Sequence, residues 1–338
     1  MILPDSPRAV RVNVEATSAP SLPDAPAKTF PFTAVLGQDE LKHALLLTAI
    51  DPGISGVLAF GDRGTAKSTT VRGMSDLLSE AGVIAPVVDL PLGVSEDRLL
   101  GAIDVETALA TGRAEFKAGL LAAADGGYLY IDEVNLLDDY IIDLLLDVAA
   151  SGVNHVERDG LSHQHSARFV LIGSGNPEEG ELRPQLEDRF GLSTHVRTVT
   201  DVSTRVEIVR RRMQFDADPV DFCAGFADSQ QQMATTIASA RDRLEEVEVD
   251  DRTVTRAVEL CSELGAVGHR AEITLVRAAR ATAALRGARV TTDRDLGRSA
   301  VAALRHRIPR EPFEPQPRLT ARVRNRIVST LGQHWSAA

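Results

Sequence analysis

Lys67 and Ser68 close the run Gly61-Asp62-Arg63-Gly64-Thr65-Ala66-Lys67-Ser68, which follows the apolar stretch Gly-Val-Leu-Ala-Phe at 56–60. A turn of this composition between a buried strand and a helix points successive backbone N–H groups at phosphate oxygens. The run, with Thr69 behind it, is therefore expected to bind a nucleoside triphosphate, ATP, together with Mg²⁺. Lys67 would reach the outer phosphates and the Ser68 hydroxyl would hold the metal. One position departs from the pattern G-x-x-x-x-G-K-[ST]: the residue before the lysine is Ala66, so either the loop accepts a methyl group or the site is damaged.

Two carboxylates, Asp132 and Glu133, end the apolar run Tyr-Leu-Tyr-Ile at 128–131. At the carboxyl end of a central strand they would stand beside the phosphate loop. Asp132 would then support the Mg²⁺ ion, while Glu133 would orient and polarise the water that attacks the γ-phosphate. A solvated acidic turn is the alternative for such a pair taken alone. Asn176, in Gly-Ser-Gly-Asn-Pro at 173–177, would emerge at the same sheet edge and could touch a γ-phosphate oxygen or the water; by itself it is also an ordinary Asn-Pro turn. Arg189, in Leu-Glu-Asp-Arg-Phe-Gly at 186–191, reads either as a salt-bridge residue or as a guanidinium offered to a neighbouring subunit's γ-phosphate.

The elements that must position these groups alternate. Strands are expected over 56–60, 86–92, 128–133, 168–173 and 194–199, with a helix over 67–79 and another after Gly37-Gln-Asp-Glu40. The order is βαβ, so the fold class is α/β with a five-stranded parallel sheet. Two inserts, 93–119 and 152–168, carry turn signals and read as projecting hairpins. Beyond Asp201 only helical patterns remain. The expected organisation is a disordered tail over 1–29, an α/β nucleotide-binding domain over 30–200, a linker over 201–230 and a helical domain over 231–338.

Composition narrows the partners. The 338 residues carry 37 Lys plus Arg against 48 Asp plus Glu, a net charge of -11, which opposes broad contact with nucleic acid. Cys223 and Cys261 stand alone, no apolar run reaches the length of a membrane span, and the first residues lack a signal-peptide core. A cytoplasmic protein is expected. His163 and His165 have metal-ligand spacing but fall in a hairpin without a third ligand, so a solvated loop is the expectation. The basic run Arg210-Arg211-Arg212 reads as a solvated helix face.

Further runs make the pattern specific: Phe-Pro-Phe-Thr-Ala-Val-Leu-Gly-Gln at 30–38, Pro-Val-Val-Asp-Leu-Pro-Leu-Gly-Val-Ser-Glu-Asp-Arg at 86–98, Val-Glu-Arg-Asp-Gly at 156–160, and Gly-Ser-Gly-Asn-Pro-Glu-Glu-Gly-Glu-Leu-Arg-Pro-Gln-Leu at 173–186. From about 30 to 310 the chain resembles the AAA+ P-loop ATPases of the helix-2-insert clade, specifically the ATPase subunit I family of magnesium chelatases. The resemblance implies that Asn176 is the first sensor, Arg189 the arginine finger and Arg270, in Gly-His-Arg-Ala-Glu at 268–272, a second sensor reaching the nucleotide from a helical lid. Arg277 and Arg280 match that role less well and read as solvated helix positions. The resemblance also implies a homo-oligomeric ring, read as a hexamer. Its partners would be a second AAA+ chelatase subunit with an integrin-like domain and a large porphyrin-binding subunit that inserts Mg²⁺ into protoporphyrin IX for (bacterio)chlorophyll. Related helix-2-insert ATPases also carry Ala before the lysine, whereas the link before Val87 is shorter than in many chelatase subunits. The rival readings are a MoxR-like chaperone ATPase, a nucleotide-binding scaffold with little turnover and an MCM-like DNA motor.

Overall fold

The computed structural model describes residues 28–104, 115–158, 161–176, 180, 182–309 and 316–332. Nine strands are described: β1 (Gly56–Gly61), β2 (Val87–Leu90), β3 (Gly101–Asp104), β4 (Glu115–Ala118), β5 (Tyr128–Ile131), β6 (Val153–Arg158), β7 (Leu161–Ser166), β8 (Val170–Gly175) and β9 (Leu192–Val196). Five of them form one parallel sheet in the order β2-β5-β8-β1-β9. Because β8 lies between β1 and β5, whatever leaves the end of β8 must stand between the loop after β1 and the carboxylates after β5. Strand order thus brings together three segments far apart in sequence.

The three central strands are covered on both faces, which is why they read as apolar runs. Alternate side chains serve different cores. Val57, Ala59, Tyr128, Tyr130, Val170 and Ile172 join the side packed by helices α1 (Asp39–Ile50) and α2 (Lys67–Glu80), while Leu58, Leu129, Ile131 and Leu171 join the side packed by α3 (Asp139–Ser151). β2 is shorter than expected because Pro86 and Pro91 flank it and neither has an N–H for the ladder. β5 stops before Asp132-Glu133, since Glu133 takes a left-handed backbone conformation.

Both inserts are antiparallel hairpins, β3 with β4 and β6 with β7. Their tips at 105–114 and 159–160, and the expected tail apart from residues 28 and 29, lie outside the described residues. His163 is not in a solvated loop: its ring stacks on Phe116 at 4.0 Å, joining the two hairpins. Among the described residues there is no metal-ligating cluster, and no helix is long and apolar enough to cross a membrane.

The segment expected as a linker is helical, in α4 (Val202–Ala217) and α5 (Pro219–Ala224). Asp201 caps α4 by accepting from Thr204 N, and Asp218 caps α5 by accepting from Val220 N and Asp221 N. Arg211 is no solvated residue either. It donates to Ala34 O at 2.9 Å, pairs with Glu207 at 3.0 Å and lies over the Phe226 ring. The helical domain follows as α6 (Ala227–Arg243), α7 (Asp251–Leu264), α8 (Arg270–Leu285), α9 (Asp293–Leu304) and α10 (Gln316–Leu331). The buried positions of α8 are mostly alanine and those of α9 include Gly297, Ser299 and three alanines, which lets these two helices approach closely. The face of α8 turned to the core is Leu275, Ala278, Ala279 and Thr282, whereas Ile273 is exposed.

His43, on α1, gives the fold a pH response. Its Nε2 is buried without a partner among the described residues, and burial, helped by nearby Arg298, lowers its pKa from 6.5 to about 4. The neutral ring is thus the folded form. Its stabilisation is whole above the unfolded pKa of 6.5 and is lost as pH falls through about 4. The expected loss across that window is up to about 3 kcal/mol. Urea titrations at the two ends should show this decline in the wild type and a smaller one in His43→Leu.

Candidate functional site

Asp62 N donates to Val196 O at 3.0 Å, continuing the pairing of β1 with β9 past the strand's end. Gly61 has to be glycine: its φ is 148°, and a Cβ would lie 1.8 Å from Val196 O. The chain then turns through Arg63-Gly64-Thr65 and enters α2 from Ala66, whose φ of 63° and ψ of 24° are left-handed. The glycine usual before the lysine is explained by this conformation, which costs an L-residue roughly 1–2 kcal/mol. Ala66 carries that strain and the turn forms all the same. Ala66→Gly is expected to raise stability by up to about 1 kcal/mol, part of the relief being offset by the freer unfolded chain. Its ATP dissociation constant should stay within about twofold, because the left-handed turn is already formed in the free chain and glycine adopts it without strain; denaturant titration and nucleotide titration check the two halves.

The first N–H groups of α2 have no acceptor inside the helix and point at the cleft in front of it. That cleft, about 230 Å³, is lined by Arg63, Gly64, Thr65, Ala66, Lys67, Ser68, Asp132, Glu133, Ser174, Gly175 and Asn176. Lys67 Nζ donates to Gly61 O (2.7 Å), Asp62 O (3.1 Å) and Gly175 O (3.3 Å), so it bridges the ends of β1 and β8. Burial lowers its pKa, and Asp132, Asp62 and Glu133 act against that shift. An ammonium held by three carbonyls can exchange them for phosphate oxygens at modest cost.

Asp132 is fixed by two residues the motif reading passed over. Tyr130 OH donates to its Oδ1 at 3.1 Å, Ser174 Oγ donates to the same oxygen, and the two hydroxyls lie 3.0 Å apart. Burial, reinforced by Asp132, pushes the Tyr130 pKa well up, so it stays a donor. Period-two spacing was the available signal for Tyr130, which shares a strand face with Asp132. Ser174 sits beside Asn176 in the glycine-rich run and could have been suspected from that. Asn135, two residues after Glu133, is a third omission: both its amide atoms are buried without partners among the described residues.

Glu133 adopts φ 55° and ψ 52°. Among the described residues three non-glycine positions have positive φ, and two of them, Ala66 and Glu133, border this one cleft. Strain of this kind concentrates where a side chain must be aimed. Asn176, 8% exposed, leaves β8 between the loop and the carboxylates, as the strand order requires.

A second, more apolar cleft of about 570 Å³ adjoins the first across Arg63–Ser68. Its walls are Val35, Leu36 and Gln38 before α1, Thr198 and Val199 after β9, and Arg205, Ile208, Val209 and Arg212 of α4. Polar and apolar clefts in series suit a nucleotide, phosphates in one and base in the other. Thr69 lines this second cleft and not the first. Asp62 turns away from both: its Oδ2 accepts from Thr198 N and Oγ1, each at 2.8 Å, which holds its pKa below the usual carboxylate range. Its expected contact with phosphate is therefore replaced by a structural one.

Arg189 and Arg270 are not brought to the phosphate cleft of their own chain. Both line a third cleft of about 830 Å³, together with Arg168, Arg241, Arg277 and Arg307. Arg270 Nη1 donates to Asp188 Oδ2 at 2.8 Å, next to Arg189 in sequence. The lid reaches the core here because α8 starts over the Asp188–Gly191 turn, which places Arg270 beside Arg189 and away from the phosphate cleft of its own chain. Arg277 is also engaged: it pairs with Asp51 at 3.3 Å and lies against Gly53.

Comparison with known proteins agrees with this architecture. The family described as AAA domain (dynein-related subfamily) matches residues 56–190, and the AAA lid domain matches residues 254–326. The magnesium-chelatase 38 kDa subunit of Rhodobacter capsulatus is 51% identical over 330 residues, 89% of this chain and 94% of its own. An uncharacterised protein of Mycobacterium tuberculosis is 49% identical over 289 residues, 85% of this chain but only 46% of its own. A crystal structure from Cytophaga hutchinsonii, 19% identical, has the same fold, with a TM-score of 0.62 over 87% of this chain and 91% of that one. With the parallel sheet, the phosphate loop and the helical lid in place, near-full-length identity of this order makes the chain a member of the magnesium-chelatase 38 kDa subunit family of AAA+ ATPases.

Proposed function

We propose that the chain hydrolyses ATP as the motor subunit of a magnesium chelatase, driving Mg²⁺ insertion into protoporphyrin IX in the cytoplasm. The observation that carries the hydrolytic part is the convergence of Lys67, Ser68, Asp132, Glu133 and Asn176 on one cleft. Backbone N–H groups of the loop and Lys67 hold the phosphates. The residues present suit a Mg²⁺ ion: among the described residues both hydrogen bonds to Asp132 fall on Oδ1, leaving Oδ2 and the Ser68 hydroxyl for the cation. When bound, that ion neutralises charge on the β- and γ-phosphates. Glu133 takes the proton of the attacking water, and Asn176 fixes the water or a γ-phosphate oxygen.

One chain holds only part of this machinery. Arg189, with Arg270 beside it, is offered from the third cleft to the nucleotide of a neighbouring copy, where a guanidinium stabilises the charge spreading over the equatorial oxygens. A homo-oligomeric ring, a hexamer in our reading, satisfies every site in turn. The AAA+ partner with an integrin-like domain and the large porphyrin-binding subunit complete the enzyme, and hydrolysis here drives a conformational step there.

A second reading is a chelatase-like ATPase that remodels another metalloenzyme. It is favoured by the 49% identity to a protein of more than twice the matched length. The test is ATP-dependent Mg²⁺ insertion into protoporphyrin with the two partner subunits supplied. Insertion that needs this chain and its Glu133 supports the first reading, and robust ATP turnover without insertion supports the second.

A further inference from the structure

The turn that carries Arg189 is gripped from outside its own domain. Arg307, just beyond α9 and 3% exposed, donates from Nη2 to Phe190 O (2.7 Å) and Asp188 O (3.3 Å), and from Nη1 to Gly191 O (2.8 Å) and Ala303 O (2.7 Å). Its Nε lies 3.6 Å from Asp188 Oδ1. The neighbouring His306 bonds Phe190 O through Nε2 at 2.9 Å, so that nitrogen carries the hydrogen. Arg270 adds its contact to the Asp188 carboxylate from the start of α8.

The other side of the turn leaves no slack. Phe190 is fully buried, and a Cβ on Gly191 would lie 1.7 Å from Ile54 O. A buried guanidinium is expensive to desolvate, and a lone surface tie between domains would need only one donor. Here three of the four carbonyls it binds belong to one four-residue turn, the geometry of a clamp on backbone orientation. The apolar cleft beside the phosphate loop borders the path to the helical domain. It is walled by Arg205, Ile208, Val209 and Arg212 of α4, the helix through which the chain passes into the helical domain.

We propose that Arg307 is a positioning residue for the neighbour's hydrolysis. It couples the carbonyls of Asp188, Phe190 and Gly191 to the helical domain, so that the reach of Arg189 follows that domain. Nucleotide in one subunit, by setting the helical domain through α4, thereby adjusts the guanidinium presented to the next subunit. This rests on the reading of Arg189 as a group acting in trans.

The experiment mixes two full-length variants in equal amounts. Glu133→Gln subunits keep Arg189 but cannot activate water; Arg189→Ala subunits keep their cleft but offer no guanidinium. Turnover recovered in the mixture comes from Arg189→Ala clefts served by Glu133→Gln neighbours. If none is recovered, the trans reading of Arg189 fails and the positioning role falls with it. If it is recovered, Glu133→Gln is replaced by Glu133→Gln/Arg307→Lys, whose single donor nitrogen cannot occupy the two separate positions, Nη1 and Nη2, from which Arg307 holds these carbonyls. The recovered kcat should then drop at least about tenfold, with KM for ATP within about twofold, because the recipient cleft is untouched. Full recovery of kcat overturns the proposal, as does a change confined to KM. Should the Arg307→Lys subunit fail to fold or assemble, His306→Phe in the same background decides. It removes one bond to Phe190 O and should lower the recovered kcat by about two- to fivefold, and an unchanged kcat overturns the proposal.

Discussion

Glu133→Gln is expected to lower kcat for ATP hydrolysis by about 10²–10⁴-fold, the usual contribution of a positioned general base, while ATP still binds with a dissociation constant within about threefold of wild type. The amide is isosteric, tolerates the same left-handed backbone as poorly or as well as the carboxylate, and keeps the cleft filled. What it loses is the ability to take a proton. Binding should survive because, on the proposed assignment, the phosphates are held by Lys67 and the loop N–H groups and the cation by Ser68, none of which needs the Glu133 carboxylate. Asp132→Asn makes the contrast. Its Oδ1 holds Tyr130 and Ser174, and its loss should appear as weaker, Mg²⁺-dependent binding before it appears in kcat. Steady-state phosphate release and nucleotide titration separate the two. Turnover unchanged in Glu133→Gln would place the base elsewhere.

Arg189→Ala is expected to cost about 10³–10⁵ in kcat when every subunit carries it, the range for a trans-acting arginine. Nucleotide affinity should barely move, since Arg189 does not line the phosphate cleft of its own chain. The informative measurement is a mixture with Glu133→Gln. An Arg189→Ala subunit keeps an intact cleft and a Glu133→Gln subunit keeps its arginine, so two variants that are each inactive alone should regain turnover together if the arginine acts in trans. No recovery would mean that Arg189 serves only its own subunit, or none.

Much of this was legible before any coordinates. β1, β5 and β8 are covered on both faces, so each shows as an apolar run ending in residues that gather at one cleft, and local spacing suffices to find Lys67, Ser68, Asp132, Glu133 and Asn176 there. Periodicity tells which way a side chain points but not what it meets. Asp62 has an acidic side chain inside a phosphate loop, yet Thr198, 136 residues away, claims it. The wall of the base cleft is divided between 35–38, 198–199 and a helix expected to be a linker. Arg270 had a role by resemblance alone, and only the docking of α8 over Asp188 shows where it goes. Arg307 carried no signal at all: an arginine in a run of basic residues near the end of a helix looks like any surface position.

If Arg189 acts in trans as proposed, its separation from Lys67 also makes catalysis a matter of stoichiometry and dilution. A lone subunit then owns a cleft without its arginine and an arginine without a cleft, so it can hold ATP safely without consuming it. Two touching copies make one complete centre; only a closed assembly gives as many centres as subunits. Specific activity should therefore climb with protein concentration and vanish on dilution below the assembly constant, while bound ATP persists. A cell could set fuel consumption by how much of this chain it makes, with no inhibitor and no change at the site itself.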